Sequence, residues 1–392
     1  MIFQTLDNKK ECYAVFCDDT LYHYPNKLDL TRTWAYTPHL DSRKIEYAQI
    51  WALGSSLDDV CPEHLKDDWQ SLNKKAKAFI TSFHEAKINL DDICFYDAVP
   101  KKFLIEYNNL KNQITNYVFE HYKKPKNYDF LSDLVVFLHK IGKQKLNLRV
   151  KNLDFINPKV RASFSKLKDS GDHVLYTPWT TATGRLSTTH KSFPILNLNK
   201  ELRNVIIPTN DLFIELDYNS AELRTFLGLL DKEQPDDDLH EWICKNIFND
   251  RFSREQSKKK VFAWLYNPKA SNKKLNAHFD RELLLKKYYI NGCVRTPYGR
   301  KIEVDQSKAL NYTIQSTASD LLLTSALRID KMLENKRSFI SFCVHDSLVI
   351  DFAKEDRHMI NDIVNAFSKN IFGSFKTNLS LGKNYGDMRL IP

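Results

Sequence analysis

The sequence is poor in glycine, with 10 in 392 residues, and carries only 13 prolines. That scarcity excludes collagen-like repeats and Gly/Pro-rich linker proteins. It also lacks any C-x-x-C pair: Cys12, Cys17, Cys61, Cys94, Cys244, Cys293 and Cys343 are scattered and odd in number. Neither a zinc ribbon nor a disulfide framework is expected, and the thiols read as small core residues in a reducing compartment. No run approaches eighteen apolar residues, and Met1-Ile2-Phe3-Gln4-Thr5-Leu6-Asp7 lacks the basic-then-apolar pattern of a secretion signal. These absences lead to the expectation of a soluble cytoplasmic protein with no membrane partner.

What is present is an ordinary globular balance, 42% hydrophobic and 27% charged. The length suits about two or three domains, enough to bury a core without covalent staples. Lys and Arg exceed Asp and Glu to give a net charge of +9. An excess of that sign suits a polyanionic partner, nucleic acid above all, although a solvated surface would show the same count. Lys123-Lys124-Pro125-Lys126 and Lys258-Lys259-Lys260 lie among aromatics, which make up 12% of the chain and serve both packing and base stacking.

The first 80 or so residues mix short alternating runs, such as Tyr13-Ala14-Val15-Phe16, with polar turns, and read as a small α/β unit. From Phe83 to Gly142 the pattern is helical, with helices expected over Phe103–Tyr122 and Phe130–Ile141. Beyond Val174 come short strands and turns. Leu212-Phe213-Ile214-Glu215-Leu216 reads as a strand running into Asp217, after which Asn219-Ser220-Ala221-Glu222 opens a helix. Phe339 to Val344 and Leu348 to Ile350 read as a hairpin with His345 and Asp346 at its tip. A helix is expected from Arg254 to Tyr266, ended by Asn267-Pro268, and an apolar one from Ile314 to Leu333.

Arg254, Lys258, Phe262 and Tyr266 follow at intervals of four. Each such step drifts only about 40° round a helix, so the four form one stripe, cations first and rings last. A nucleoside triphosphate needs that surface: charge for phosphates, an aromatic face for the base. A solvated basic face with two core aromatics would read the same way. Asp217 and Asp346, if placed at adjacent strand ends, would repel one another unless divalent cations neutralised them, and a metal pair is a machine for phosphoryl transfer. Each alone is also an ordinary strand-end turn residue.

Order adds to spacing. Thr183-Gly184-Arg185-Leu186-Ser187, then Asp217-Tyr218-Asn219-Ser220-Ala221-Glu222-Leu223-Arg224, then the four-residue ladder, then Asn311 and Gln315, then Val344-His345-Asp346 resembles the family A DNA polymerases. The resemblance covers roughly residues 175 to 390. It implies an α+β right-hand architecture: an antiparallel palm sheet, helical fingers and thumb, and a small N-terminal α/β unit. The corresponding segments are 1–82 for the N-terminal unit (an exonuclease remnant or docking unit), 83–165 for the thumb, 166–224 and 299–392 for the palm, and 225–298 for the fingers.

By the same resemblance, Asp217 and Asp346 hold two magnesium ions, with the backbone carbonyl of Tyr218 facing a metal. Arg254 and Lys258 grip the incoming dNTP, and Lys258 donates a proton to pyrophosphate. Phe262 packs on the nucleotide, Tyr266 stacks at the templating position, and His240 lies near the phosphates. Glu222 blocks a ribose 2′-hydroxyl; equally, Asn219-x-x-Glu222 is a helix-capping pattern. Arg185, Asn197, Arg203, Asn311, Gln315 and His345 resemble contacts to primer-template DNA near the primer end, where minor-groove acceptors are shared by all correct pairs.

Departures from the family pattern bear on rate and size. Ser347 stands where the family usually has Glu, so a third carboxylate is missing there. Asn267 replaces a Gly, as the next best residue for a left-handed helix end before Pro268. The segment from Tyr266 to Gly299-Arg300 is short, which implies trimmed fingers. Residues 1 to 150 hold Asp18-Asp19, Asp58-Asp59 and Asp91-Asp92 but no D-x-E, so no proofreading is expected. The implied reaction is dNTP addition to a primer 3′-hydroxyl in DNA replication. A separate exonuclease, helicase or processivity factor stands as a further partner, and the small size suits a phage enzyme working in its host cytoplasm. Two alternatives stay open: a polymerase using an RNA template or rNTPs, and a catalytically weak protein that binds primer-template junctions.

Overall fold

A computed structural model describes the chain except residues 8–13, 24–27, 39–43, 91–92, 151–157, 168–169, 268 and 392. Cys12, Tyr13, Asp91, Asp92 and Pro268, singled out above, lie outside the described residues. The chain divides into two compact units, Met1–Val136 and Phe137–Pro392.

In the first unit, strands β1 (Phe3–Asp7), β2 (Ala14–Cys17) and β3 (Thr20–Tyr22) form an antiparallel meander. Helices α1 (Lys66–Glu85) and α2 (Lys101–His121) pack on it. Ala14, Ala76, Phe103 and Leu104 share one core, so an apolar stripe at helical spacing meets a strand whose four residues are all buried. Gln4 on β1 donates to Thr115 and Asn112 of α2 at 3.0 and 3.1 Å, closing a polar seam inside that core. The helix expected over Phe103–Tyr122 is present as α2, and the one expected over Phe130–Ile141 spans Tyr128–Gly142.

The second unit is built on a five-stranded antiparallel sheet. Its strands are β4 (Leu212–Tyr218), β5 (Phe339–Val344), β6 (Ser347–Phe352), β7 (Thr377–Gly382) and β8 (Arg389–Ile391), in the order β5-β6-β4-β7-β8. β4 is therefore central, which explains its apolar run: it is covered and hydrogen-bonded on both sides. After it come α3 (Ala221–Leu229), α4 (Leu239–Asn246), α5 (Arg254–Tyr266) and the long α6 (Gln306–Met332). One core joins these helices through Leu223, Phe226, Ile243, Val261, Trp264 and Ile314. α6 starts eight residues before the expected Ile314: Ala309 and Leu310 already bury in its first two turns, between polar residues that mask the apolar period.

The free, buried thiols of Cys17, Cys61, Cys244, Cys293 and Cys343 match the expected core role. Cys94 is disulfide-bonded, which corrects the expectation of unpaired thiols at that position.

Candidate active site

Register brings the two aspartates together. In the β4–β6 ladder Asp217 lies opposite Ser347, and Val344 pairs with Ser347 across the hairpin, leaving His345 and Asp346 as its two-residue turn. His345 takes a left-handed φ of +53°, as a tight two-residue turn demands. Asp346 is thus the chain neighbour of the residue facing Asp217. The Asp217 carboxyl is pushed up to about 7, chiefly by burial and next by the charge of Asp346; Asn378 donates to it at 3.3 Å, and Glu215 and Lys258 lie close enough to act on it. A half-buried acid facing another acid is poorly accommodated unless something positive joins them.

Among the described residues no three His, Cys, Asp or Glu side chains converge as a metal cage. Two hard carboxylates nonetheless fit magnesium, which binds through one or two carboxylates and completes its shell with water and substrate phosphates. Ser347 adds no charge: its hydroxyl lies 3.0 Å from both Glu215 Oε1 and the Val344 carbonyl.

The helical stripe forms as its spacing predicts. α5 opens with a capping box between Ser253 and Gln256. Ser257, Val261, Trp264 and Leu265 are its buried seam, and the ladder runs about 100° round from that seam, along the flank. Phe262 and Tyr266 stack in parallel, centroids 5.8 Å apart at 7°. His240 is buried with its ring 5.7 Å from Phe262. Burial, with Lys258 and Arg254 adding to it against the pull of Asp238, lowers its pKa to about 4, so the imidazole is neutral at pH 7.

Arg254 is held by a residue the sequence reading passed over. Asp238 accepts from Arg254 Nη2 at 2.7 Å and Nε at 3.2 Å, caps α4 through the amides of His240 and Glu241, and accepts from Asn219 at 2.7 Å. So many donors outweigh burial and keep its carboxyl well below the usual range. Its N-cap position before Leu239-His240-Glu241 was the available signal.

Glu222 corrects the capping alternative. The N-cap of α3 is Ser220, in the left-handed region at φ +59°, with no side-chain cap bond. Asn219 is engaged elsewhere: its Oδ1 accepts from the Leu239 amide at 3.0 Å. Glu222 accepts from Arg185 Nη2 at 2.6 Å and from the Tyr266 hydroxyl. Asn267 is corrected too. It is extended, at φ −102° and ψ 108°, because Arg281 draws the Trp264 and Asn267 carbonyls while the Asn267 side chain accepts from Lys269.

A cavity of about 230 Å³ is lined by Arg185, Glu222, Ser319, His345 and Asp346 among others. Asn311, Gln315 and Ser319 are successive steps of four on α6, so the two amides lie on the face leading to that cavity. Arg203 is turned onto the Tyr385 ring at 5.0 Å, and Asn197 is exposed in a short 3-10 turn. Tyr218 contributes no side chain here: its ring is buried against Phe367, with the hydroxyl donating to the Phe367 carbonyl at 2.7 Å.

No protein-family model matches the sequence. DNA polymerase I of Caldicellulosiruptor bescii is 24% identical over 245 residues, covering 49% of this chain and 29% of that protein. DNA polymerase I of Mycobacterium tuberculosis is 23% identical over 252 residues, 50% of this chain and 28% of that protein. The alignments thus span under a third of those relatives' length. Among solved structures, the POL domain of Pol1 from M. smegmatis, in complex with DNA primer-template and dNTP, matches with a TM-score of 0.56 at 12% identity. That match covers 88% of this chain and 82% of the other. The fold is that of this POL domain. The expected α+β architecture is therefore present, and the resemblance drawn from five short motifs extends to the backbone. No helix among the described residues is long and apolar enough to cross a membrane.

Proposed function

We infer that the chain is a template-directed DNA polymerase that adds dNTPs to a primer 3′-hydroxyl. One observation carries this reading: Asp217 and Asp346 meet at neighbouring strand ends within electrostatic reach of Lys258, on the helix that stacks Phe262 on Tyr266. In this reading β4 to β8 form the palm, α4 and α5 belong to trimmed fingers, and residues 83–165 act as the thumb.

Arg254, fixed by Asp238, and Lys258 would hold the triphosphate with charge-assisted bonds, while neutral His240 offers a hydrogen bond without a further charge. Phe262 would pack on the nucleotide and Tyr266 at the templating position. Asn311 and Gln315, with Arg185 and His345, would line the primer-template minor groove; Arg203 and Asn197 would sit at its margin. Asp217 and Asp346, with the Tyr218 carbonyl, would hold two magnesium ions. Bound there, magnesium supplies the acidity of the 3′-hydroxyl and neutralises charge on the phosphates. The 3′-hydroxyl would lose its proton to solvent, its oxygen would attack the α-phosphorus, the bond to the bridging oxygen of the β-phosphate would break, and Lys258 would donate a proton to the leaving pyrophosphate. Absence of a D-x-E motif from residues 1–150 is what favours a polymerase without proofreading in this reading.

Extension of a labelled primer with magnesium and dNTPs tests the reading, with Asp217→Ala and Asp346→Ala as controls. Primer-template binding with no extension by the unaltered protein would instead support a junction-binding protein, the reading that Ser347 favours. Preference for rNTPs over dNTPs would overturn the assigned substrate.

A further inference from the structure

Glu222 is held in place by neighbours. Arg185 grips one of its oxygens at 2.6 Å, and Arg185 in turn belongs to a turn with its own foundation. Within that turn the Gly184 amide donates to the Thr181 carbonyl at 3.1 Å, and the Thr181 hydroxyl donates to the Arg185 carbonyl at 2.8 Å. Gly184 takes a φ of +73°, and a Cβ placed on it would stand 2.3 Å from Cζ of Arg300 and 2.4 Å from its Nη2. The backbone therefore rests on the guanidinium with no room for a side chain.

That guanidinium is itself clamped. Arg300 Nε donates to both oxygens of Asp320 at 2.7 and 2.9 Å, and Nη2 donates to Oδ1 at 2.7 Å. Asp320 is fully buried on α6, and the preceding residue, Ser319, donates to the Gly184 carbonyl at 3.0 Å. An unbroken set of contacts runs from a buried ion pair, through a glycine turn, to Arg185 and the Glu222 carboxylate on the cavity wall. A planar fork is needed at its base; a lysine would supply the charge without the surface.

We propose that the Arg300–Asp320 pair positions sugar discrimination: it seats the Gly184 turn so that Arg185 holds Glu222 where a ribose 2′-hydroxyl would enter. The proposal rests on Glu222 being the sugar gate, and the test separates the two. Incorporation of one dNTP and the matching rNTP by the full chain is measured, and the ratio of their kcat/KM values is compared. Glu222→Ala is expected to lower the dNTP preference on the order of 100-fold. Arg300→Lys, which keeps the charge but not the fork, and Gly184→Ala, which forces the turn and the guanidinium apart while keeping both charges, are each expected to lower it about tenfold.

Neither change should add to the loss in the Glu222→Ala background, because both act through that carboxylate. A merely structural role would slow dNTP and rNTP incorporation in proportion and leave the ratio unmoved. Loss of preference in either variant supports the proposal. A wild-type ratio in both, with Glu222→Ala losing it, overturns the proposal and leaves the gate standing. If Glu222→Ala keeps the ratio, gate and positioning pair fall together.

Discussion

The two ends of the five-stranded sheet treat a buried acid in opposite ways. At one end, Asp351 on β6 accepts from the amides of Thr209 and Asn210 at 2.6 and 2.8 Å. At the other, Asp217 on β4 has one weak donor and an acid for a neighbour. Burial raises both carboxyls, but at Asp351 the amides work against it, whereas at Asp217 Asp346 adds to it. The first acid completes the fold; the second leaves hydrogen-bonding and charge capacity for a partner from outside the chain. A buried polar group left short of partners is costly, which makes the contrast a functional signal.

The contrast breaks most sharply in activity. Asp217→Ala or Asp346→Ala should lower primer extension by about 10³-fold or more, the several kcal/mol a metal clamp supplies, while the protein stays folded. Extension within tenfold of wild type would remove the basis for the assigned chemistry.

Next comes pH. With divalent ions chelated, Asp217 favours its protonated form in the folded chain, so its contribution is fully present below about pH 4 and is lost as pH rises through about 7. Asp217→Asn should therefore be more stable than the wild type at pH 8, on the order of 2–4 kcal/mol, and gain little at pH 4. Urea unfolding at the two pH values measures this; an equal change at both would sink the electrostatic account.

A smaller effect of opposite kind is expected at the far end. Asp351→Ala leaves two amides without their acceptor and should cost about 1–3 kcal/mol of stability, read as a shifted urea midpoint, with kcat near wild type. The smallest belongs to Asp238, an acid surrounded by donors. Asp238→Asn should loosen Arg254 and raise KM for dNTP by about tenfold with a lesser change in kcat, about the worth of one charge-assisted bond. An unchanged KM would show that Arg254 needs no anchor.

Legibility followed the range of the interaction. The ladder Arg254, Lys258, Phe262 and Tyr266 was readable because helical period alone puts those residues in line. The hairpin tip at His345 and Asp346 was readable because an apolar run breaks and resumes around two polar residues. Asp238 as the anchor of Arg254 was not, since sixteen residues and a helix junction separate them. Glu222 read equally well as a cap until the structure placed Arg185 and Tyr266 on its two oxygens. Asn267 followed its carbonyl's attraction to Arg281 rather than the intrinsic preference of asparagine for left-handed helix ends.

The linear order of residues determined which segments become strands and helices, and which chemistry each carries, because those properties depend on neighbours within a turn or two. Tertiary structure alone decided that β7 and β8 complete the sheet beside β4, that Ser347 faces Asp217, and that the Gly184 turn rests on Arg300. Such pairings join groups dozens to more than a hundred residues apart. They are selected by the joint burial of many side chains, a quantity no local pattern contains.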